Sequence, residues 1–557
     1  MLRIWNVTLV ILTFFLTIFG TFMTRSGVVQ SVHAFGSDPI LAKLFTGFML
    51  VILTFSFGLV IYRLPLLRAR NELDSWVSRE AAFLVNNWVL LFSALFVLFA
   101  TMFPTLSEAV TGNRLTVGPP FFNKWMLPIG LFMLFLTGFG PLLAWRKSTL
   151  SNLRDQFLWP TLAAVVVGGA VIALGVRVWS SGLCFAISAF VTGTIGQEFW
   201  RGINVRRGVT GTDIFTALVG LVGRNKRRYG GYIVHLGIML MFLGFAGTGF
   251  KRETQLQLKL GQQTTLGDYT LRNDGVKVSD DGQKQMVTAY ISVFKNGKQI
   301  DTMYPGKHFF RKHEQEPTTA VAIRRSFAED LYVVLAFQPS DLAEQSASLQ
   351  INVNPLVDWI WFGFAVMAIG TGIALLPERT YAFALAKLPE AAGAAATTGA
   401  ALLLMLWVLS APLMAQHEAG TGVLLPPKNA LEREMRDEMA CTCGSCEHEA
   451  LSKCPCSQAD QTRGELRTQV ELGKTREEII SHFIAQFGGQ QFLRSPIDKG
   501  FNRLAWLVPY GVGAIGLVVV GMTARRWSRH PEGSPQAEEP KDPEIEERLD
   551  DELRNLD

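Results

Sequence analysis

Long apolar runs separated by charged loops dominate this chain. Candidate helices run from about Ile4 to Phe22, Phe45 to Tyr62, Ala82 to Phe103, Met126 to Trp145 and Leu158 to Val176. Five more run from Leu183 to Phe199, Tyr232 to Phe250, Val357 to Leu376, Ala394 to Met414 and Leu504 to Thr523. Each has about 17–22 residues, enough at 1.5 Å per residue to cross about 30 Å of hydrocarbon. Between the seventh and eighth runs, Lys251 to Pro355 changes character. Alternation at Leu256, Leu258 and Leu260, and again around Val287, Tyr290 and Val293, predicts strands. Asn296-Gly297 between two such runs signals a tight hairpin. From Ala415 to about Arg503 the pattern is helical and polar. Thr475 with Glu478 forms a capping box ahead of Ile479, Ile480 and Phe483.

The pattern predicts a mostly α, polytopic membrane protein with about ten transmembrane helices, a small β-rich domain and a small helical domain. Its segments are seven membrane helices over 1–250, the β-rich insert over 251–355, and an eighth helix with its loop over 356–390. A ninth helix over 391–415, a thiol-bearing helical domain over 416–503, a tenth helix over 504–524 and a tail over 525–557 complete it. The ninth resembles a secretory signal, with small residues leading into an apolar stretch and Ser410-Ala-Pro-Leu-Met-Ala behind it. That is the seam a fusion of two proteins would leave.

Composition agrees: 49% of the 557 residues are hydrophobic and only 18% charged, against about 25% in soluble domains. A soluble enzyme and a disordered chain are both excluded. Net charge, +5, averages over opposed regions; loop charge says more. The loops after the second, fourth and sixth runs hold fourteen Lys and Arg, and the opposite loops hold five. This bias predicts a cytoplasmic N-terminus, with both water-soluble domains outside. From Glu532 onward the tail has eleven acids and three bases, which predicts cytoplasmic disorder.

Two histidines stand out. His235 lies inside the seventh run, where an ionisable residue is costly and a functional candidate by default; a helix–helix hydrogen bond accounts for it equally well. Neutral imidazole is also a good axial ligand for haem iron. His33 lies about ten residues beyond the first run and on its own reads as an interfacial loop residue. The other six histidines read as surface residues. Cys184 reads as a core residue. Five cysteines cluster at Cys441, Cys443, Cys446, Cys454 and Cys456. A CxxC beside a CxC suits either zinc or thiol–disulfide exchange. An outside location favours exchange, because disulfides form and persist there.

Arg3-Ile-Trp-Asn, Gly20-Thr-Phe, Arg25-Ser-Gly, Ser31-Val-His-Ala-Phe, Val117-Gly-Pro-Pro-Phe-Phe-Asn and Arg227-Arg-Tyr-Gly-Gly-Tyr-Ile-Val-His-Leu-Gly are ordered signatures. With Asp330-Leu-Tyr-Val-Val-Leu and Pro355-Leu-Val-Asp-Trp-Ile-Trp, they make residues 1 to about 390 resemble the CcmF family of cytochrome c biogenesis proteins. Residues 431 to 526, with the CxxC, the helix from Thr475 and the closing membrane run, resemble the CcmH family. The resemblance implies a haem lyase subunit in a bacterial inner membrane, joining haem to apocytochrome c on the periplasmic side. The implied partners are the haem carrier CcmE, apocytochrome c, a thioredoxin-like reductant and the membrane, with no nucleic acid.

In the CcmF family, four histidines bind two haems. One pair holds incoming haem beside the tryptophan-rich WWD domain, and the other holds haem b within the membrane. His33 matches the second outer ligand and His235 the second membrane ligand. The first histidine of each pair and the WWD segment have no match here. The chain therefore resembles the C-terminal half of a split CcmF fused to a CcmH-like module, or a truncated CcmF. A WWD-bearing N-terminal half is then the expected partner. CcmH proteins carry Leu-Arg-Cys-x-x-Cys; here Cys441-Thr442 stand where Leu-Arg would be, if Cys443 and Cys446 are the matching pair. The resemblance implies that this pair exchanges with an apocytochrome disulfide, with Cys441, Cys454 and Cys456 as further candidate redox thiols. Two other readings fit the sequence: a non-catalytic scaffold or haem conduit in the same assembly, and a multi-span thiol oxidoreductase.

Overall fold

The computed structural model describes residues 3–26, 39–67, 75, 77–113, 115–144, 148–311, 318–336, 339–375, 418–419, 427–442, 449–454 and 457–527. The ninth run, the tail beyond 527, His33, Cys443, Cys446 and Cys456 lie outside the described residues.

The first half is helical: α1 (Arg3–Arg25), α2 (Pro39–Tyr62), the single turn α3 (Leu64–Leu67), α4 (Arg79–Thr111), α5 (Pro119–Phe139), α6 (Leu150–Ala173), α7 (Trp179–Thr210), α8 (Ile214–Arg224) and α9 (Lys226–Ala246). Later come α10 (Pro339–Ala343), α11 (Val357–Leu375), α12 (Ala430–Glu438), α13 (Ser457–Glu471), α14 (Arg476–Phe487) and α15 (Arg503–Trp527). Among the described residues, nine helices are long and apolar enough to cross a membrane. In lipid every backbone amide must bond within its own segment, which is why apolar runs become helices.

Two helices outrun their sequence limits. α4 has 33 residues and α7 has 32, about 50 Å each by the helical rise. The basic stretch after the sixth run is not a plain loop. α7 continues to Gly211, which takes a left-handed conformation, and α8 then starts under an Asp213 cap.

Among its described residues, the insert is a sandwich of ten strands. One sheet has the order β1 (Arg252–Leu258), β10 (Ala347–Pro355), β9 (Glu329–Leu335), β8 (Ala322–Arg324). The other contains β2 (Gln263–Leu266), β3 (Tyr269–Asp280), β4 (Lys284–Lys295), β6 (Gly306–Phe310) and β7 (Thr318–Ala320), with β5 (Lys298–Met303) on β4. A two-residue strand from beyond the seam, β11 (Glu418–Ala419), pairs with β7. Val287, Ala289, Ile291 and Val293 of β4 meet Leu331, Val333, Ile351 and Val353 in a fully apolar core. The hairpin at Asn296-Gly297 is present, with φ of 52° and 76° as a tight β4–β5 turn requires. Tyr290 faces away from the core, against Tyr304 and Lys277. Leu260 is 58% exposed, because β1 ends at Leu258.

The sandwich hangs between α9 and α11, and these two pack backbone to backbone. Gly230, Gly237 and Gly244 repeat every seven residues on α9; Gly230 faces Gly370 and Gly237 faces Gly363 on α11, while Gly244 meets Ile360 and Leu356. A Cβ on Gly237 would sit 2.5 Å from the Met367 nitrogen and 2.6 Å from the Gly363 oxygen. Small residues allow this approach, which drives helix association in lipid.

Candidate functional sites

His235 is placed by the spacing of α9. Five residues past Gly230, it lies about 140° round the helix from the glycine line. Its face carries Arg228, Tyr232, His235, Met239 and Phe242 at i, i+4, i+7 steps. That stripe turns toward α5 and α7. Phe242 stands 3.6 Å from where a Gly130 side chain would begin, and Thr192 reaches the Met239 sulfur at 3.9 Å. The imidazole makes a hydrogen bond to the Thr137 backbone of α5, a bond between helices. Its Nδ1 is buried with no hydrogen-bond partner. A buried polar atom without a partner is rare and calls for an explanation. Phe135 and Phe139 of α5, Phe157 of α6 and Phe190 of α7 stack on one another, with Phe139 and Phe157 4.8 Å apart.

Toward the basic end of α9 the stripe becomes charged. Glu198 of α7, 7% exposed, accepts from Arg228 at 2.7 Å and from Arg201 at 3.4 Å. Tyr232 donates to the same carboxylate at 3.4 Å. Sequence reasoning missed Glu198; an acid inside the sixth apolar run was the signal.

The helical domain after the seam is built on α12, α13 and α14, with Met435, Leu466, Phe483 and Phe492 in its core. The capping box forms: Thr475 N donates to Glu478 Oε2 at 2.8 Å and Glu478 N to Thr475 Oγ1 at 3.4 Å. Glu432, fully buried, is held by Arg436 and by Arg467 at 3.2 Å. The cysteine segment closes at the Ala440–Ala450 bridge, and Cys441 N donates to Glu449 O at 2.8 Å. Cys441 and Cys454 are both buried in the core. Arg463 donates to the carbonyls of Leu451 at 2.5 Å and Cys454 at 2.6 Å. Cys184 is buried on α7, its sulfur 3.4 Å from the Phe242 carbonyl.

The helical domain docks on the turn between α4 and α5. Gly118 N donates to Arg494 O at 2.7 Å, and Thr116 Oγ1 to Gln491 O at 3.0 Å. Below, α15 packs on α4 and α5: Phe121 lies 4.7 Å from Trp506, and Trp125 lies 4.4 Å from Tyr510. The Val117-Gly-Pro-Pro-Phe-Phe signature is therefore a socket for the thiol-bearing domain.

Comparison with known proteins fits this layout. Residues 249–355 match the family described as CcmF C-terminal beta-sandwich, and residues 402–553 match CcmH, described as cytochrome C biogenesis protein. The chain joins a CcmF-like part to a CcmH-like module. Its CcmF-like part is 31% identical over 394 residues to the cytochrome c-type biogenesis protein CcmF of Pseudomonas aeruginosa, covering 70% of this chain and 58% of that one. It is 31% identical over 382 residues to the cytochrome c-type biogenesis protein CycK of Rhizobium meliloti, covering 68% and 55%. A solved structure titled Cytochrome c Heme Lyase CcmF superposes with a TM-score of 0.51 at 26% identity, over 67% of this chain and 55% of that one. The chain thus spans less than two thirds of these relatives. The membrane helices and the relatives together make it a polytopic membrane protein.

Proposed function

We propose that this chain works in cytochrome c maturation, as the part of a haem lyase that holds haem in the membrane and handles the thiols of apocytochrome c. The observation that carries this reading is His235 Nδ1, buried and unpartnered on the α9 face that meets α5 and α7. A buried imidazole nitrogen without a hydrogen-bond partner would suit a ligand to haem iron, and His235 would be the residue of this chain that holds it. Bound haem would supply a one-electron centre at an iron that takes neutral imidazole. The protein's own part is to orient that imidazole, to exclude water with the Phe135–Phe139–Phe157–Phe190 wall, and to balance charge at the Arg228 end through Glu198.

In this reading His33 is a ligand for a second, periplasmic haem delivered by CcmE. The second ligand at each haem and the WWD segment come from a CcmF-like N-terminal portion, on whatever polypeptide it stands. Cys443 and Cys446 act by exchange. A thiolate attacks one sulfur of an apocytochrome disulfide, and the displaced thiolate takes a proton. The second cysteine then resolves the mixed disulfide, leaving the apocytochrome dithiol reduced and the module oxidised. A thioredoxin-like dithiol restores the module. The membrane is the bacterial inner membrane, with both chain ends cytoplasmic and the sandwich and CcmH-like module periplasmic.

The test is a pyridine haemochrome assay on the complex purified with a WWD-bearing CcmF portion. His235→Ala should remove the membrane haem, and His33→Ala should block maturation while leaving that haem in place. Full haem content in the His235 variant would return this residue to a packing role.

A further inference from the structure

At the end of the bundle away from the sandwich, three helices form an elbow. α7 runs on past its apolar stretch to Thr210, Gly211 turns the chain, α8 comes back against α7, and α9 starts at Lys226. The three meet at one level. Gly202 of α7 lies against Leu221 of α8 and the Tyr229 hydroxyl of α9, and the Arg206 side chain lies against Gly220 of α8.

α8 is eleven residues long and apolar, too short to span hydrocarbon. It packs through small residues: Ala217, Gly220 and Gly223, three apart on one face, are buried. A helix whose other face met water would be polar there. That face carries Ile214, Phe215, Leu218 and Val222 instead. Ile214 and Phe215 are each 48% exposed. On α7, Val209 and Trp200 are exposed as well, and a Trp at the end of a membrane run marks the interface with the headgroups. A bare apolar face at the end of a membrane bundle fits lipid as its surroundings.

The charge around this face has one sign. Residues 201–228 hold seven Lys and Arg and one acid, Asp213. Asp213 caps α8, accepting from Phe215 N at 2.8 Å and Thr216 N at 3.0 Å. Arg201 and Arg228 answer Glu198 of α7. Arg207, Arg224 and Arg227 are exposed, and among the described residues none of them forms an ion pair. Arg207 precedes α8 and the other two follow it, so bases stand at both ends of the apolar face.

We propose that this elbow binds anionic phospholipid: Arg207, Arg224 and Arg227 hold phosphate headgroups, while Val209, Ile214 and Phe215 lie in the acyl-chain boundary. An interfacial apolar helix rimmed by bases offers both contacts that such a lipid makes. The site depends on neither the haem nor the thiol reading, only on the membrane location of the chain.

Native mass spectrometry of the full chain in detergent, supplied with equal phosphatidylglycerol and phosphatidylcholine, tests this. The wild type should retain phosphatidylglycerol in preference. Arg207→Gln, Arg224→Gln and Arg227→Gln should each lower that preference about fivefold, the share of one base at a membrane surface, and the triple variant should abolish it. All three side chains are exposed, so folding should survive their loss. Arg63→Gln, the same charge change at an exposed base beyond α2, should leave the preference intact. Soluble glycerol phosphate should not displace the lipid. Equal retention of the two lipids by the wild type, a preference kept by the triple variant, an equal loss in Arg63→Gln, or displacement by glycerol phosphate would each overturn the proposal. A carbodiimide cross-link from Lys226 to the acidic segment 532–557, formed with phosphatidylglycerol present, would assign the elbow to that segment and overturn it too.

Discussion

Two glycines six residues apart on α9 should respond oppositely to the same substitution. At Gly237, an added methyl would meet the Met367 nitrogen at 2.5 Å, the Gly363 oxygen at 2.6 Å and the Met367 Cα at 2.9 Å. All three are backbone-chain atoms of α11, so no side chain can swing aside. Restoring an ordinary contact of about 3.4 Å means parting the helices by about 1 Å, and overpacking of this kind costs about 1–3 kcal/mol. At Gly231 an added methyl meets nothing within 4 Å. There the only effect is helix propensity, which favours Ala by up to about 1 kcal/mol. Gly237→Ala gains that same propensity, so the two variants should differ by the overpacking cost alone. Thermal unfolding of the purified protein in detergent measures the gap. Gly231→Ala should melt at or slightly above the wild type, and Gly237→Ala several degrees below it. Gly363→Ala should behave like Gly237→Ala, since its methyl would stand 2.5 Å from the Gly237 oxygen. Equal melting temperatures for the Gly231 and Gly237 variants would refute close backbone packing of α9 on α11.

Other outcomes follow from single sites. His235→Ala should lose the membrane haem spectrum while His308→Ala keeps it, read by difference spectroscopy on the assembled complex. Burial and the nearby Asp358 raise the Asp330 carboxyl to about 6, against hydrogen bonding from Ser326 N and the Arg325 charge. Its folded pKa exceeds its unfolded one, so this group's contribution is fully present below about pH 4 and is lost as pH rises through 6. Asp330→Asn should therefore raise stability at pH 7 by about 1–3 kcal/mol and have little effect at pH 4, in denaturant titrations at the two values. Gly118→Val would crowd Arg494, whose Cβ and carbonyl oxygen lie 3.2 and 3.3 Å from the added carbon; it should loosen the CcmH-like module, seen as faster proteolysis of 427–503 with the sandwich still protected. Cys443→Ser should lose or trap mixed disulfides with an apocytochrome CxxCH peptide on non-reducing gels. Full exchange by that variant would remove Cys443 from the mechanism.

The sequence alone determined the elements whose bonds are local. An apolar run in lipid has no choice but to satisfy its own amides, so among the described residues the membrane helices stand where hydropathy placed them, α4 and α7 running longer. Asn296-Gly297 and Thr475 with Glu478 are equally local, because turn and cap geometry is set within four residues. His235 stood out for the same reason, as a costly residue in an apolar run. What the residues meet across space was not legible. The seven-residue glycine repeat on α9 gains its meaning from Gly363 and Gly370, more than a hundred positions away. Glu198 looks like an isolated acid until Arg228, thirty residues on, reaches it. Lys307 reads as an ordinary polar strand residue, because alternation cannot say that its ammonium is buried against Thr319 of β7. The Val117-Gly118 signature gives no hint that it is a socket until Arg494 closes on it. Local bonding fixes where helices and strands begin and end; which faces meet depends on shape and charge brought together by folding. The tertiary structure alone decided how the CcmF-like part grips its thiol module.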